Sequence, residues 1–211
     1  MKKTIAALLL IIPIASSADW YGTASIGEGY YLLSNPSNPA WCQRPFECRE
    51  GKGVAVWSLG SGWAFTKNAA AELTYHDFGK YTQSGAWRCS DDGSMCTPWT
   101  TFGESEARTR GVSLSAVFGA DPGLYGRVGL LRYQSKWMTQ MRNSEEINAA
   151  PSIYVAQRQE GWSPEVGVGW RFHTGLWVND IWQLELTRYT DIKPHDGAIQ
   201  GITTVTLQMA F

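Results

Sequence analysis

The residues able to do chemistry in this chain are few: three histidines, four cysteines and a scatter of charges. A histidine beside a serine or an acid is the base-and-nucleophile arrangement of acyl transfer. His76 precedes Asp77, with Ser84 and Ser105 nearby in sequence; His195 precedes Asp196; His173 stands in a His-Thr-Gly turn. His76–Asp77 is the better candidate among these, and its simpler reading is a polar pair on a wall, so no catalytic residue is assigned. The cysteines fall as two close pairs, Cys42/Cys48 and Cys89/Cys96. Their spacing does not suit zinc, and no histidine lies close to either pair. In an exported chain they predict disulfides, with local pairing the simplest of three connectivities. No metal cluster, phosphate loop or cofactor is implied.

What must position these residues is β-sheet. Counting back in twos from the end, Phe211, Met209, Leu207 and Val205 fall on one face, and Ala210, Gln208, Thr206 and Thr204 on the other. Period-two alternation is a strand with one apolar and one wet face. Ending on an aromatic, the stretch resembles the terminal signal by which bacterial barrels are recognised for insertion, which makes the insertion machinery and periplasmic chaperones expected partners. At the other end Lys2 and Lys3 precede an apolar run, Ile5 to Ala15, and then Ser16-Ser17-Ala18. That is a secretory leader, cleaved after Ala18, with one domain over residues 19–211. The run is too short to span a bilayer as a helix, and no longer one follows. The chain has 18 basic against 19 acidic residues, two of the basic ones in the leader. Without a basic field, nucleic acid is not a partner. Eleven tryptophans and nine tyrosines suit aromatic girdles at two membrane interfaces.

Alternation places eight strands at about 20–33, 53–65, 70–81, 106–119, 124–137, 161–172, 176–190 and 201–211. Long connections alternate with tight turns such as Thr66-Lys67-Asn68 and Asp121-Pro122-Gly123. This is the rhythm of an all-β, eight-stranded antiparallel up-and-down transmembrane barrel, with short turns in the periplasm and long loops outside. Glu72, Arg127, Arg171 and Glu185 have inward parity, and two acids and two bases in so narrow a lumen are expected to pair. Arg110, Arg132 and Arg188 have outward parity toward the long-loop ends, with Arg108 extending the row. There they would meet the phosphates of lipopolysaccharide. The loops carry aromatics: Trp41 and Phe46 in the first, Trp87, Trp99 and Phe102 in the second.

With strands in place, the chain resembles the transmembrane domain of the outer membrane protein A family. The matching runs are WYGTASIG, AELTYHDFG, GVSLSAVFGADPGLYGRVGLL, SPEVGVGWRF, LELTRY and GITTVTLQMAF. The resemblance implies a bacterial outer-membrane barrel with buried charges of both signs. The family's best-known members add a peptidoglycan-binding domain, a role not carried over here. Small barrels also include lipid A-modifying enzymes, but neither the His-x-Ser arrangement of the deacylase nor the palmitoyltransferase motifs occur. The expectation is a monomeric structural and surface-interaction protein, adhesin-like, acting through stiffened loops on an unnamed surface ligand. A narrow or gated pore is the alternative, and a lipid A-modifying enzyme the second.

Overall fold

The computed structural model describes residues 19–33, 53–87, 101–120, 122–143, 152–174, 181–192 and 199–211. Eight strands follow in order: β1 (Asp19–Leu33), β2 (Val54–Thr66), β3 (Ala69–Trp87), β4 (Thr101–Gly119), β5 (Gly123–Asn143), β6 (Ser152–Phe172), β7 (Ile181–Thr190) and β8 (Ile199–Ala210). Each pairs antiparallel with its chain neighbours, and β1 pairs with β8 from Thr23↔Ala210 to Leu33↔Ile199. The sheet is thereby a closed barrel, which leaves no edge along the spanning wall.

The faces alternate as the sequence predicts. Ile26, Leu59, Leu114, Val128, Val166 and Leu184 stand exposed on the exterior. Thr23, Ser58, Glu72, Arg127, Glu185 and Gln208 are buried within. A barrel with its charges inside and its aliphatics outside is solvated by lipid, not water. An aromatic cluster marks the short-turn end, where Trp20 stacks on Trp63 at 5.8 Å and the Phe65 ring lies tilted against Trp63 at 4.9 Å. On β4 the run from Phe118 up to Arg110 rises roughly 20 Å at the tilt of such strands, close to the height of an outer-membrane apolar band.

Four strands are longer than the alternation indicates. β3 to β6 run 19 to 21 residues, and their pairing continues to Trp87↔Thr101 and Met141↔Ser152. Trp87 and Phe102 therefore belong to strands, not to a loop. The outer halves of these strands are polar, so an apolar stripe ends there while the backbone ladder does not. By contrast β2–β3 pairing stops at Trp57↔Asp77 and β6–β7 pairing at Glu165↔Tyr189. Beyond those points β3, β4, β5 and β6 continue as a four-stranded sheet, by roughly 33 Å along β3 and 43 Å along β6.

A bulge starts the overhang. Phe78 and Gly79 lie between the pairs Asp77↔Arg110 and Lys80↔Arg108, two residues against one. Gly79 has φ +73°, and a Cβ there would come within 2.3 Å of the Ala55 carbonyl oxygen. Only glycine allows β3 to bend away so close to β2. The bulge also flips parity, so Tyr81 points inward where unbroken alternation would send it out.

The lumen has two layers. Toward the short turns it is polar. Toward the long loops Val56, Phe78, Leu131, Tyr133, Tyr189, Ile192 and Ile202 pack as an apolar plug, with Tyr81, Ala107 and Trp137 above. Three inward tyrosines lie over glycines directly across the ladder: Tyr21 on Gly62, Tyr125 on Gly169, and Tyr133 on Gly161. An absent side chain on one strand makes room for a ring from the next, so large side chains fill a narrow lumen.

Candidate functional site

The polar layer is organised on Arg127. Its guanidinium is 2.6 Å from Glu72 through Nη2 and 2.9 Å from Glu185 through Nε, and Nη1 lies 3.7 Å from Glu165. All four side chains are buried. Hydroxyls add to the shell: Tyr21 donates to Glu72 at 2.8 Å, Ser115 to Glu165 at 2.7 Å, and Tyr125 and Thr187 to Glu185. Glu165 Oε1 alone of the carboxylate oxygens facing Arg127 has no hydrogen-bond partner. A desolvated ion cluster is tolerated when most of its lone pairs are met this way.

Three of the four charges read as a lumen cluster thus meet. Arg171 does not join them; it lies nearer the short-turn mouth, its guanidinium 4.6 Å above the Tyr125 ring. The partner that sequence reasoning missed is Glu165. Its parity equals that of Arg171 on the same strand, so the signal was there. The expected two-acid, two-base set is instead three carboxylates on one guanidinium.

His76 and Asp77 do not form a pair. Being adjacent in a strand, they face opposite ways: His76 points into the lumen and Asp77 to the outside. His76 shares a hydrogen bond of 2.8 Å with Ser113 and stacks on Phe78 at 5.5 Å. Ser84 and Ser105 lie far up the overhang, Ser105 opposite Gln83. The cavity beside His76 measures about 20 Å³, room for a water and for no acyl chain. His173 follows the end of β6 and is exposed. His195 and Asp196, and Cys42, Cys48, Cys89, Cys96, Trp41, Phe46 and Trp99, lie outside the described residues.

The arginines of outward parity sit on the outer rim of β4 to β7. Asp77, itself buried, accepts from Arg108 and Arg110, each at 2.9 Å. Glu160 accepts from Arg132 at 3.0 Å and Arg158 at 2.8 Å. Arg158, with Arg132 and Gln134, holds the Glu160 carboxyl below the usual carboxylate range. Arg132 also lies 5.6 Å over the Trp162 ring. Lys80 meets Glu106 at 2.7 Å, and Arg188 donates to Thr203 at 3.0 Å. Two carboxylates each carry two guanidinia, so each clip retains one positive charge.

Val205, Leu207, Met209 and Phe211 line one outward face of β8 and its end, and Phe211 exchanges backbone hydrogen bonds with Gly22.

No protein-family model and no curated protein matches the chain. Among solved structures it is similar to the attachment invasion locus protein Ail of Yersinia pestis in complex with the heparin analogue sucrose octasulfate, at 11% identity and TM-score 0.48, covering 92% of this chain and 99% of that one. It is similar to Neisserial surface protein A, at 10% identity and TM-score 0.45, covering 92% and 97%. The N-terminal β-barrel domain of Pseudomonas aeruginosa OprF is similar at 11% identity and TM-score 0.42, covering 91% and 97%.

Proposed function

We propose that the chain is an outer-membrane barrel that works at the cell surface as an interaction module rather than as a conduit. The observation that carries this is the pairing of a doubly closed lumen with a tall outer wall. The Arg127 cluster and the apolar plug each block the axis, whereas β3 to β6 carry a sheet above the membrane, and the connection from β3 to β4 bears Cys89 and Cys96. The kinship to the outer membrane protein A family suggested by the strand motifs belongs to the same reading. A disulfide in a loop lowers the cost of ordering it on a ligand. Paired Cys→Ser changes at Cys42/Cys48 and at Cys89/Cys96 are expected to cut attachment of expressing bacteria to host-cell or matrix surfaces several-fold. They should leave the heat-modifiable mobility of the folded barrel unchanged. Full attachment by both variants, or discrete conductance steps from the wild-type protein in planar bilayers, would overturn the reading.

The clips on Asp77 and Glu160 favour a second contact, with lipopolysaccharide. Guanidinia held in place by a shared carboxylate, with charge to spare and one face toward lipid, are suited to phosphate. Lipopolysaccharide added to phospholipid vesicles is expected to raise the thermal midpoint of the wild-type barrel. Reversing Arg108, Arg110, Arg132 and Arg158 to Glu should abolish that rise; an undiminished rise sinks the contact.

A further inference from the structure

The short-turn mouth of the barrel has features that neither the lumen cluster nor the outer rim explains. A cavity of about 400 Å³ opens there, lined among others by Asp19, Trp20, Lys67, Arg171, Gln183 and Phe211. Two of the residues that line it each hold a buried polar atom without a partner. Gln183 is only 2% exposed, yet its Oε1 has no hydrogen-bond partner. The Nε of Arg171 is buried and equally without one, while the Tyr125 ring beneath holds the guanidinium in position. Native structures seldom leave such atoms unmet.

The two groups need opposite things. A guanidinium N–H calls for an anionic oxygen; an amide oxygen calls for a donor. Lys67 and Asp19 repeat that pair of opposite requirements around the cavity. A ligand with a phosphate and an ammonium a few bonds apart meets both. Trp20 and Phe211, 73% and 69% exposed, stand beside the opening on the lipid-facing side and offer surfaces for acyl chains. Trp20 is braced by its stack on Trp63.

We propose that this mouth binds the headgroup of a phosphatidylethanolamine-type phospholipid from the adjoining leaflet. The phosphate sits on Arg171, the ammonium donates to Gln183 Oε1 and Asp19, and the chains leave past Trp20 and Phe211. This rests on the exterior being lipid-facing.

The test uses the ¹⁵N-labelled full chain in phosphatidylcholine nanodiscs, doped stepwise with phosphatidylethanolamine or phosphatidylglycerol. The first has a phosphate and a cationic N–H donor; the second has the phosphate and glycerol hydroxyls but no cation. Arg171→Gln identifies the Arg171 Nε–H signal. That signal is expected to move saturably with phosphatidylethanolamine, at least five-fold more than with phosphatidylglycerol. The Arg127 Nε–H, already bonded to Glu185 at 2.9 Å, should stay put. Gln183→Leu, which leaves Arg171 in place, should weaken the response several-fold. An equal response to both lipids, no response, or saturation by inorganic phosphate in detergent micelles would overturn the headgroup site. A silent Arg171 in a barrel folded within the disc leaves the membrane reading standing, whereas a chain that cannot enter the disc removes both.

Discussion

Replacing Arg127 by Met is expected to destabilise the barrel by about 3–5 kcal/mol, the usual cost of stripping a buried carboxylate of its counter-charge. The expectation is at the upper end because one guanidinium serves Glu72, Glu165 and Glu185 at once. The measurement is urea unfolding in lipid vesicles, followed by tryptophan fluorescence. Adding Glu72→Gln and Glu185→Gln to Arg127→Met should regain most of the loss, since amides of the same shape still accept from Tyr21 and Tyr125 but carry no charge to repel. Arg127→Lys should recover less, because an ammonium lacks the planar fork that reaches several carboxylates from one position. A loss of under about 1 kcal/mol for Arg127→Met would mean that the cluster does not hold the lumen together.

Much of the barrel is legible in the chain because period-two alternation carries topology directly. Once Leu114 and Ser113 are assigned to opposite faces, so is the rest of that strand. The same rule should have delivered Glu165, which lies on the face of Gly167, Gly169 and Arg171. It should also have separated His76 from Asp77, since neighbours in a strand cannot share a side. What parity does not encode is height along the barrel axis. Arg171 and Arg127 share the lumen, yet a few rungs of ladder leave one stacked on Tyr125 and the other among carboxylates. The Ser113 partner of His76 likewise depends on register: His76 stands opposite Gly111, and Ser113 is one step down the face.

The outer half was harder to read for a different reason. Gly79 is one glycine among 22, and nothing in the run His-Asp-Phe-Gly-Lys announces a bulge. Its positive φ follows from where β2 ends and β3 continues, a tertiary fact. Everything beyond it shifts face, Tyr81 included. The apolar plug above the ion cluster has the parity of the polar layer below. A lumen expected to be polar throughout thus conceals Phe78, Leu131 and Ile202.

The second large effect is expected at a residue with no side chain. A Cβ on Gly169 would lie 2.5 Å from Cζ and 2.6 Å from the hydroxyl oxygen of Tyr125. In Gly169→Ala the ring must move, and it carries two interactions with it: its 2.7 Å hydrogen bond to Glu185 and the platform under Arg171. Overpacking together with a lost bond to a charged group predicts a cost of roughly 2–4 kcal/mol by the same unfolding assay. Gly126→Ala is the matched control, because its added Cβ meets only the Gly167 carbonyl oxygen at 3.9 Å, an ordinary contact. It should be neutral within about 0.5 kcal/mol. If the two alanines cost the same, intrinsic strand propensity sets the penalty and the tyrosine does not. If Gly169→Ala alone is costly, and Tyr125→Phe added to it costs far less than in the wild type, then ring and glycine act as one joint. The glycines of this barrel would then act as sockets for the tyrosines that tie adjacent strands to the ion cluster.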